Sequence, residues 1–314
     1  MPVSHVNNPE DFGRVAVVMG GWSAEREISL KSGEAVIAAM LEKKIDAFSV
    51  DMGGDILSVI ENINADRVFN IVHGRGGEDG QLQSLLETKK LPYTGAGILG
   101  SALAMDKLRC KLIWQGAGLA TPKFQVLDDA RSLQKAADEI GFPLIIKPVL
   151  EGSSVGMAKV NSVAELQSAW QQAKQYGEVI AEEWVIGKEY TAAYLAGDML
   201  PLIRLETDHE FYDYDAKYVS NDTQYFCPCG LTSDVEKQYQ SLCLDALNVV
   251  AIKGWCRVDF MVDKNDKLWL IEVNTVPGMT DHSLVPMAAK KANMDFPELV
   301  WRILETTMDQ GVGS

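Results

Sequence analysis

Two apolar stretches late in the chain hold the residues best suited to chemistry: Trp255-Cys256-Arg257-Val258-Asp259-Phe260-Met261-Val262 and Leu268-Trp269-Leu270-Ile271-Glu272-Val273-Asn274. The turn-rich segment Asp263-Lys264-Asn265-Asp266-Lys267 joins them as a hairpin would. Side chains alternate faces along a strand, so Arg257 and Asp259 share one face, as do Glu272 and Asn274. With Asn265-Asp266 as a two-residue turn, Asp259 faces Glu272 and Arg257 faces Asn274. Opposed carboxylates weaken a hairpin unless positive charge sits between them. An Asp, Glu and Asn set suits Mg²⁺, which takes few protein ligands and completes its shell with nucleotide phosphates. The same residues also allow a salt bridge from Arg257 to both acids.

Several lysines could serve those phosphates: Lys107, Lys147 at the end of an apolar strand, and Lys217 in an aromatic loop. Lys147 is followed by Glu151-Gly152-Ser153-Ser154-Val155-Gly156-Met157, whose backbone N–H groups and hydroxyls can approach an anion. The segment lacks the Gly-Lys-Ser/Thr of a P-loop and opens no helix, so a plain hairpin turn reads equally well. Glu182-Glu183-Trp184-Val185 and Glu189 lead out of a strand into a linker. That passage can hold an adenine edge on backbone groups and ribose hydroxyls on a carboxylate, or be an acidic surface strand. Near the start, Val17-Val18-Met19-Gly20-Gly21 turns on glycines as a dinucleotide loop does, but Glu25 follows. A helix N-terminus attracts anions, so a phosphate site there should not be filled by a carboxylate. Glu27 reads as an ordinary helix-start carboxylate.

The elements that must position these groups alternate at first. Strand patterns at Arg14–Met19, Ala47–Asp51 and Arg67–Val72 flank helical spacing at Ser29–Lys43 and Leu82–Glu87, an α/β domain with a mainly parallel sheet over residues 1–105. Its loops Gly20–Glu27 and His73–Gly80 share the ligand-binding edge of such sheets. An α+β unit follows over 106–188, with a helix through Trp114, strands at Pro143–Lys147 and Glu178–Trp184, and a helix opened by a Ser162–Glu165 capping box. A third unit, 189–314, is interrupted by the aromatic loop Phe211–Gly230, long enough to act as a lid.

The 314 residues include 29 Lys+Arg against 44 Asp+Glu, a net charge of −15 that argues against nucleic acid or a membrane surface as partner. The N-terminus shows no signal-peptide pattern and no apolar run is long enough to span a bilayer, so a cytoplasmic location is expected. Five scattered cysteines read as reduced thiols. Cys227-Pro228-Cys229 lacks the second ligand pair that zinc needs.

Taken in order, GGWSAERE, HGRGGEDG, YTGAG, MDKLRCK, IIKPVLEGSSVGM, YDYDAKY, GWCRVDFMVD and IEVNTVPGMTDHSLVPMAA resemble the ATP-grasp enzymes and, within them, the D-alanine:D-alanine ligases. The resemblance runs from about Arg14 to about Leu304. It implies a Rossmann-like parallel-sheet domain followed by a two-domain ATP-grasp fold, and ATP-dependent synthesis of D-alanyl-D-alanine for peptidoglycan through an acyl phosphate. ATP would lie on Lys107, Lys147, Glu182, Trp184, Val185, Glu189 and Lys217. Two magnesium ions, with manganese as a substitute, would lie on Asp259, Glu272 and Asn274. The first D-alanine would be held through its ammonium by Glu25, with His73 nearby, and Ser153 and Tyr218 would join Glu25 in a hydrogen-bonded set. Arg257 and the Gly278 N–H would form the oxyanion site, and Ser283, Leu284 and Lys217 would receive the second carboxylate. A homodimer is also implied by the resemblance.

In that family a lid tyrosine accompanies an amine as second substrate, so Lys217-Tyr218 points to a dipeptide rather than a D-alanine:D-lactate product. Trp22, where smaller residues are usual, and Cys229 depart from the pattern. Three other readings compete: a nicotinamide dehydrogenase, which lacks the third glycine of its fingerprint; a non-catalytic two-lobed binder, which needs no opposed carboxylates; and another ATP-grasp ligase, which would differ at Glu25, Tyr218 and Ser283.

Overall fold

The structure, a computed structural model, describes residues 5–207, 223–280 and 282–308. The expected Lys217 and Tyr218 lie outside the described residues.

The first sheet is built on β1 (Val15–Met19), flanked in parallel by β2 (Ala47–Asp51) and β3 (Arg67–Asn70), with α1 (Arg26–Glu42), α2 (Ile56–Asn62), α3 (Gln81–Thr88) and α4 (Gly97–Met105) in sequence around it. All of β1 is buried because alternate residues enter different cores. Val15, Val17 and Met19 pack with Val36 and Met40 of α1, whereas Ala16 and Val18 pack with Ile60, Leu82 and Leu86. This is the unbroken apolar pattern of a central parallel strand.

The second sheet is antiparallel. It comprises β4 (Phe124–Leu127), β5 (Leu144–Pro148), β6 (Ala158–Val160) and β7 (Val179–Glu183) in the order β4-β7-β5-β6, accompanied by α5 (Lys107–Gly116), α6 (Ala130–Glu139) and α7 (Val163–Ala173). The β5–β7 register sets Ile145 opposite Glu182 and Lys147 opposite Ile180.

The third sheet has six strands. They are β8 (Gly187–Leu195), β9 (Asp198–Met199), β10 (Ile203–Glu206), β11 (Gln224–Phe226), β12 (Trp255–Asp263) and β13 (Leu268–Asn274), with α8 (Ser233–Val249), α9 (Leu284–Lys291) and α10 (Phe296–Glu305). The segment 211–230, expected as one continuous loop, ends instead in a strand: β11 pairs with β10, Tyr225 opposite Leu205. Its adjacent aromatic residues Tyr225 and Phe226 suit a strand that extends an existing edge.

The β12–β13 hairpin differs from the expected two-residue turn. Asp263 N–H donates to Lys267 O at 3.0 Å, leaving Lys264, Asn265 and Asp266 in the loop with Asp266 left-handed at φ 57°. The Asp263 carboxylate accepts from Asn265 N–H at 2.8 Å and Lys267 N–H at 3.1 Å, which wraps the chain around the longer loop. Phe260 therefore pairs with Leu270, but the register shifts after it and Asp259 pairs with Glu272. Ile271 is the extra residue of a β-bulge. Two departures cancel, so the carboxylates meet as expected.

Candidate active site

The bulge decides which way Glu272 points. Leu268 and Leu270 face the core, and unbroken alternation would send Glu272 there too. With Ile271 inserted, Glu272 and Asn274 turn instead to the half-exposed face that Trp269 and Ile271 occupy. Across the pair, Val258, Phe260 and Val262 fill the core while Asp259 and Met261 face outward.

Two spaces meet over this face. The larger is a cleft of 580 Å³ between the second and third sheets, lined by all six described residues of the expected nucleotide set: Lys107, Lys147, Glu182, Trp184, Val185 and Glu189. The smaller, 90 Å³, lies toward the first sheet and is lined by Glu25, Ser153, Arg257, Gly278, Ser283 and Leu284. Lys107 and Glu272 line both, and their charged groups stand 3.6 Å apart at the junction. A further 260 Å³ vestibule opens behind Glu25 beside Trp22, whose ring lies against Gly76 and is half exposed.

In the larger cleft, Glu182 is 1 % exposed and sits between two ammonium groups, Lys147 at 2.8 Å and Lys111 at 2.7 Å. Burial alone would raise its pKa, but the two lysines outweigh burial and hold it below the ordinary value, so it is ionised. The Lys107 ammonium donates to Glu151 O at 2.6 Å, tying helix α5 to the serine loop. In that loop Ser153 and Ser154 are both left-handed, at φ 47° and 61°, the backbone turn that points successive N–H groups to one side.

In the smaller cavity, Glu25 is the N-cap residue of α1, yet its side chain makes no cap bond. It accepts instead from the Ser153 hydroxyl. None of the ion pairs among the described residues involves Glu25. His73 lies a layer deeper and does not line the cavity. Its Nδ1 is 2.7 Å from Val276 O and its Nε2 is 3.4 Å from Ser32 Oγ, bridging the first sheet to the loop after β13. Burial pushes its imidazole below the ordinary pKa, against the opposite pull of Glu25, and keeps it neutral. Glu78, 14 % exposed, does line the cavity. Burial, and then the Glu25 charge, drive its carboxyl well above the usual range.

Arg257 grips Asp259 with two nitrogens, Nε to Oδ1 at 2.8 Å and Nη2 to Oδ2 at 2.7 Å. Thr191 Oγ1 donates to the same carboxylate at 2.7 Å. The arginine salt bridge read as one alternative from the sequence is therefore formed to Asp259. Ser283 caps α9 without a side-chain cap bond, its hydroxyl accepting from Thr280 N–H at 2.9 Å. The α9 start thus presents the partial positive charge that suits a carboxylate.

A divalent cation fits these residues. Among the described residues no three or more His, Cys, Asp or Glu gather as a metal cluster, so the donors would be two carboxylates and one amide. Asn274 Oδ1 is buried without a hydrogen-bond partner. A buried amide oxygen on the strand face of Glu272 is a hard donor, and an all-oxygen set suits Mg²⁺ or Mn²⁺.

Sequence reasoning passed over Lys111, Thr191 and Glu78. Lys111 follows Lys107 by one helical turn, a signal available in MDKLRCK. Thr191 is set opposite Asp259 by the β8–β12 register, which no local pattern foretells.

The descriptions "D-ala D-ala ligase N-terminus" and "D-ala D-ala ligase C-terminus" match residues 51–96 and 113–305. The chain is 54% identical over 312 residues to a D-alanine–D-alanine ligase of Stutzerimonas stutzeri, covering 99% of each chain. It is 55% identical over 303 residues to one of Methylococcus capsulatus, covering 96% of this chain and 98% of that one. Its structure is similar to that of D-alanine–D-alanine ligase from Bacillus anthracis, at a TM-score of 0.84 and 32% identity over 94% of this chain and 97% of the other. The same enzyme complexed with ATP gives a TM-score of 0.83 at 29% identity, over 94% and 97% of the two chains. Parallel three-stranded and antiparallel sheets, an oxygen-rich hairpin between two clefts and these likenesses agree: the chain belongs to the D-alanine–D-alanine ligase family.

Proposed function

We propose that this chain joins two D-alanine molecules into D-alanyl-D-alanine, converting ATP to ADP and phosphate by way of an acyl phosphate. One observation carries the reading. The nucleotide cleft and the small cavity meet at the Lys107–Glu272 pair, and Glu25 stands across the cavity from it with a carboxylate committed to no cation.

A carboxylate is a poor electrophile and must be activated before an amine can displace oxygen from it. Glu25, steadied by Ser153, holds the ammonium of the first D-alanine so that its carboxylate points at the junction. Trp184, Val185, Glu182 and Glu189 hold the nucleoside, while Lys107, Lys147 and Lys217 hold the phosphates. One carboxylate oxygen attacks the γ-phosphorus, the bond to the β-phosphate oxygen breaks, and ADP leaves. The second D-alanine rests its carboxylate on Ser283 and Leu284 at the start of α9, with Lys217 as its cation. Its free amine attacks the acyl carbonyl, and Arg257 with the Gly278 N–H receives the oxyanion, a role in which one lost donor costs roughly 10²–10³ in rate. Phosphate then departs and the amide forms. Magnesium held by Asp259, Glu272 and Asn274 would supply charge compensation on the phosphoryl group.

Water must be kept from the acyl phosphate, because it would hydrolyse the intermediate before the amine arrives. Tyr218 favours an amine over a hydroxyl as second nucleophile. With this reading go a cytoplasmic location, a homodimer and the division at 1–105, 106–188 and 189–314; no helix among the described residues is long and apolar enough to cross a membrane.

The test is product analysis. Purified protein with MgATP and D-alanine should release one phosphate per dipeptide, and substituting D-lactate for part of the D-alanine should give no ester. Phosphate release that ignores D-alanine but needs another carboxylic acid would overturn the substrate assignment.

A further inference from the structure

Lys111 touches neither space described above, yet it is wholly buried against the Glu182 carboxylate; burial lowers its pKa and the Glu182 charge pulls the other way. It lies on α5 one turn after Lys107, 0 % exposed, with its ammonium 2.7 Å from Glu182 Oε2 and donating to Thr121 Oγ1 at 2.8 Å. Thr121 Oγ1 donates in turn to Leu270 O at 2.9 Å, and Leu270 N–H donates back to Ala120 O at 2.9 Å. Lys111 is thereby anchored to the strand that carries the bulge. Lys147 shares the same carboxylate from the other oxygen at 2.8 Å, but it also lines the nucleotide cleft, which Lys111 does not.

Lys147 thus has two claims on it: Glu182, and the phosphates of a nucleotide in the cleft. A carboxylate as buried as Glu182 tolerates the loss of its only cation badly, so a lone Lys147 would stay with it. We propose that Lys111 is a positioning residue, the standing counter-ion of Glu182 that frees Lys147 to bind the nucleotide phosphates. Two lysines on one carboxylate also leave a surplus positive charge at the cleft wall, which an incoming polyphosphate neutralises. The proposal rests on the reading of that cleft as an ATP site.

The experiment is isothermal titration of the full chain with MgATP and, separately, with adenosine, which has no phosphate for Lys147 to bind. Lys111→Met should weaken MgATP by about 10- to 100-fold, the worth of a charge-assisted hydrogen bond, while adenosine changes less than about threefold. Adding Glu182→Gln to Lys111→Met should restore most of the MgATP-to-adenosine preference, because the carboxylate that captures Lys147 is gone. Thr121→Val removes the other acceptor of Lys111 and leaves the ion pair, so it should keep the preference within about threefold of wild type. Unchanged MgATP affinity in Lys111→Met, equal losses for MgATP and adenosine, or no restoration in the double variant would each overturn the proposal. If Lys111→Met gives no cooperative thermal transition, the double variant Lys111→Met/Glu182→Gln, which strands no buried charge, decides when set against Glu182→Gln alone: equal MgATP-to-adenosine preferences in the two support the proposal, and a lower preference in the double variant overturns it. A wild-type chain that binds MgATP but ignores D-alanine would remove the substrate reading and leave this one standing; one that binds no MgATP overturns both.

Discussion

Asp259 and Glu272 face each other across β12 and β13, and Glu272 looks toward the cleft because Ile271 bulges out of the strand between them. The opposition is eased on both sides, by Arg257 on Asp259 and by Lys107 at 3.6 Å from Glu272. Glu272→Gln removes one charge of the pair without altering shape. Turnover at limiting Mg²⁺ should fall by at least about tenfold, while the melting temperature without metal should hold, since exposed or half-exposed cross-strand pairs contribute only about 0.2–1 kcal/mol. Unchanged Mg²⁺ dependence of turnover would count against the metal assignment.

Asn274 offers a sharper version of the same test. Its Oδ1 is buried and unpartnered, a group whose desolvation costs about 1–3 kcal/mol. Asn274→Leu should therefore melt no lower than wild type in EDTA, and the rise in melting temperature that MgATP gives the wild type should shrink. A variant destabilised in EDTA but fully responsive to MgATP would show that the amide is structural.

Glu78 gives a pH signature. Burial and the nearby Glu25 charge raise its pKa in the fold, so the stability it contributes is complete below the unfolded value of 4.5 and is lost as pH rises through the raised folded value. Glu78→Gln, an uncharged match to the protonated acid, should melt like wild type near pH 4. Its advantage should grow as pH climbs above 4.5 and level off beyond the folded pKa. Thermal melts across that range check it, and a constant offset would mean that Glu78 does not change protonation on folding.

Glu25→Gln should raise the first-site KM for D-alanine at least tenfold with MgATP affinity unchanged, because an uncharged amide cannot pair with an ammonium in a partly buried site. Equal loss of both substrates would indicate that the Glu25–Ser153 contact supports the loops as a whole.

How much of this was legible in sequence can be judged residue by residue. The alternation in 255–262 and 268–274 gives the strands, the shared face of Arg257 and Asp259 and the shared face of Glu272 and Asn274, since strand side chains have a strict period. The turn length and the bulge are not legible. Both depend on where the Asp263 carboxylate folds back, and the expected pairing of Asp259 with Glu272 survives only because one cancels the other. Lys111 and Glu78 read locally as solvated charges; they are buried only because Glu182 and the third sheet come to them from far along the chain. His73 was expected beside the first substrate. The structure sets it behind the cavity, on Val276 O, 203 positions away.

The central claim, that this site activates a carboxylate by phosphorylating it and then passes it to an amine, has a direct readout. D-alanine labelled with ¹⁸O in its carboxylate is supplied with unlabelled MgATP and water, and the released phosphate is examined by mass spectrometry. Attack of a carboxylate oxygen on phosphorus must carry one labelled oxygen into each phosphate formed with a dipeptide. Phosphate free of label, with dipeptide still accumulating, would contradict the acyl phosphate and the account built on it.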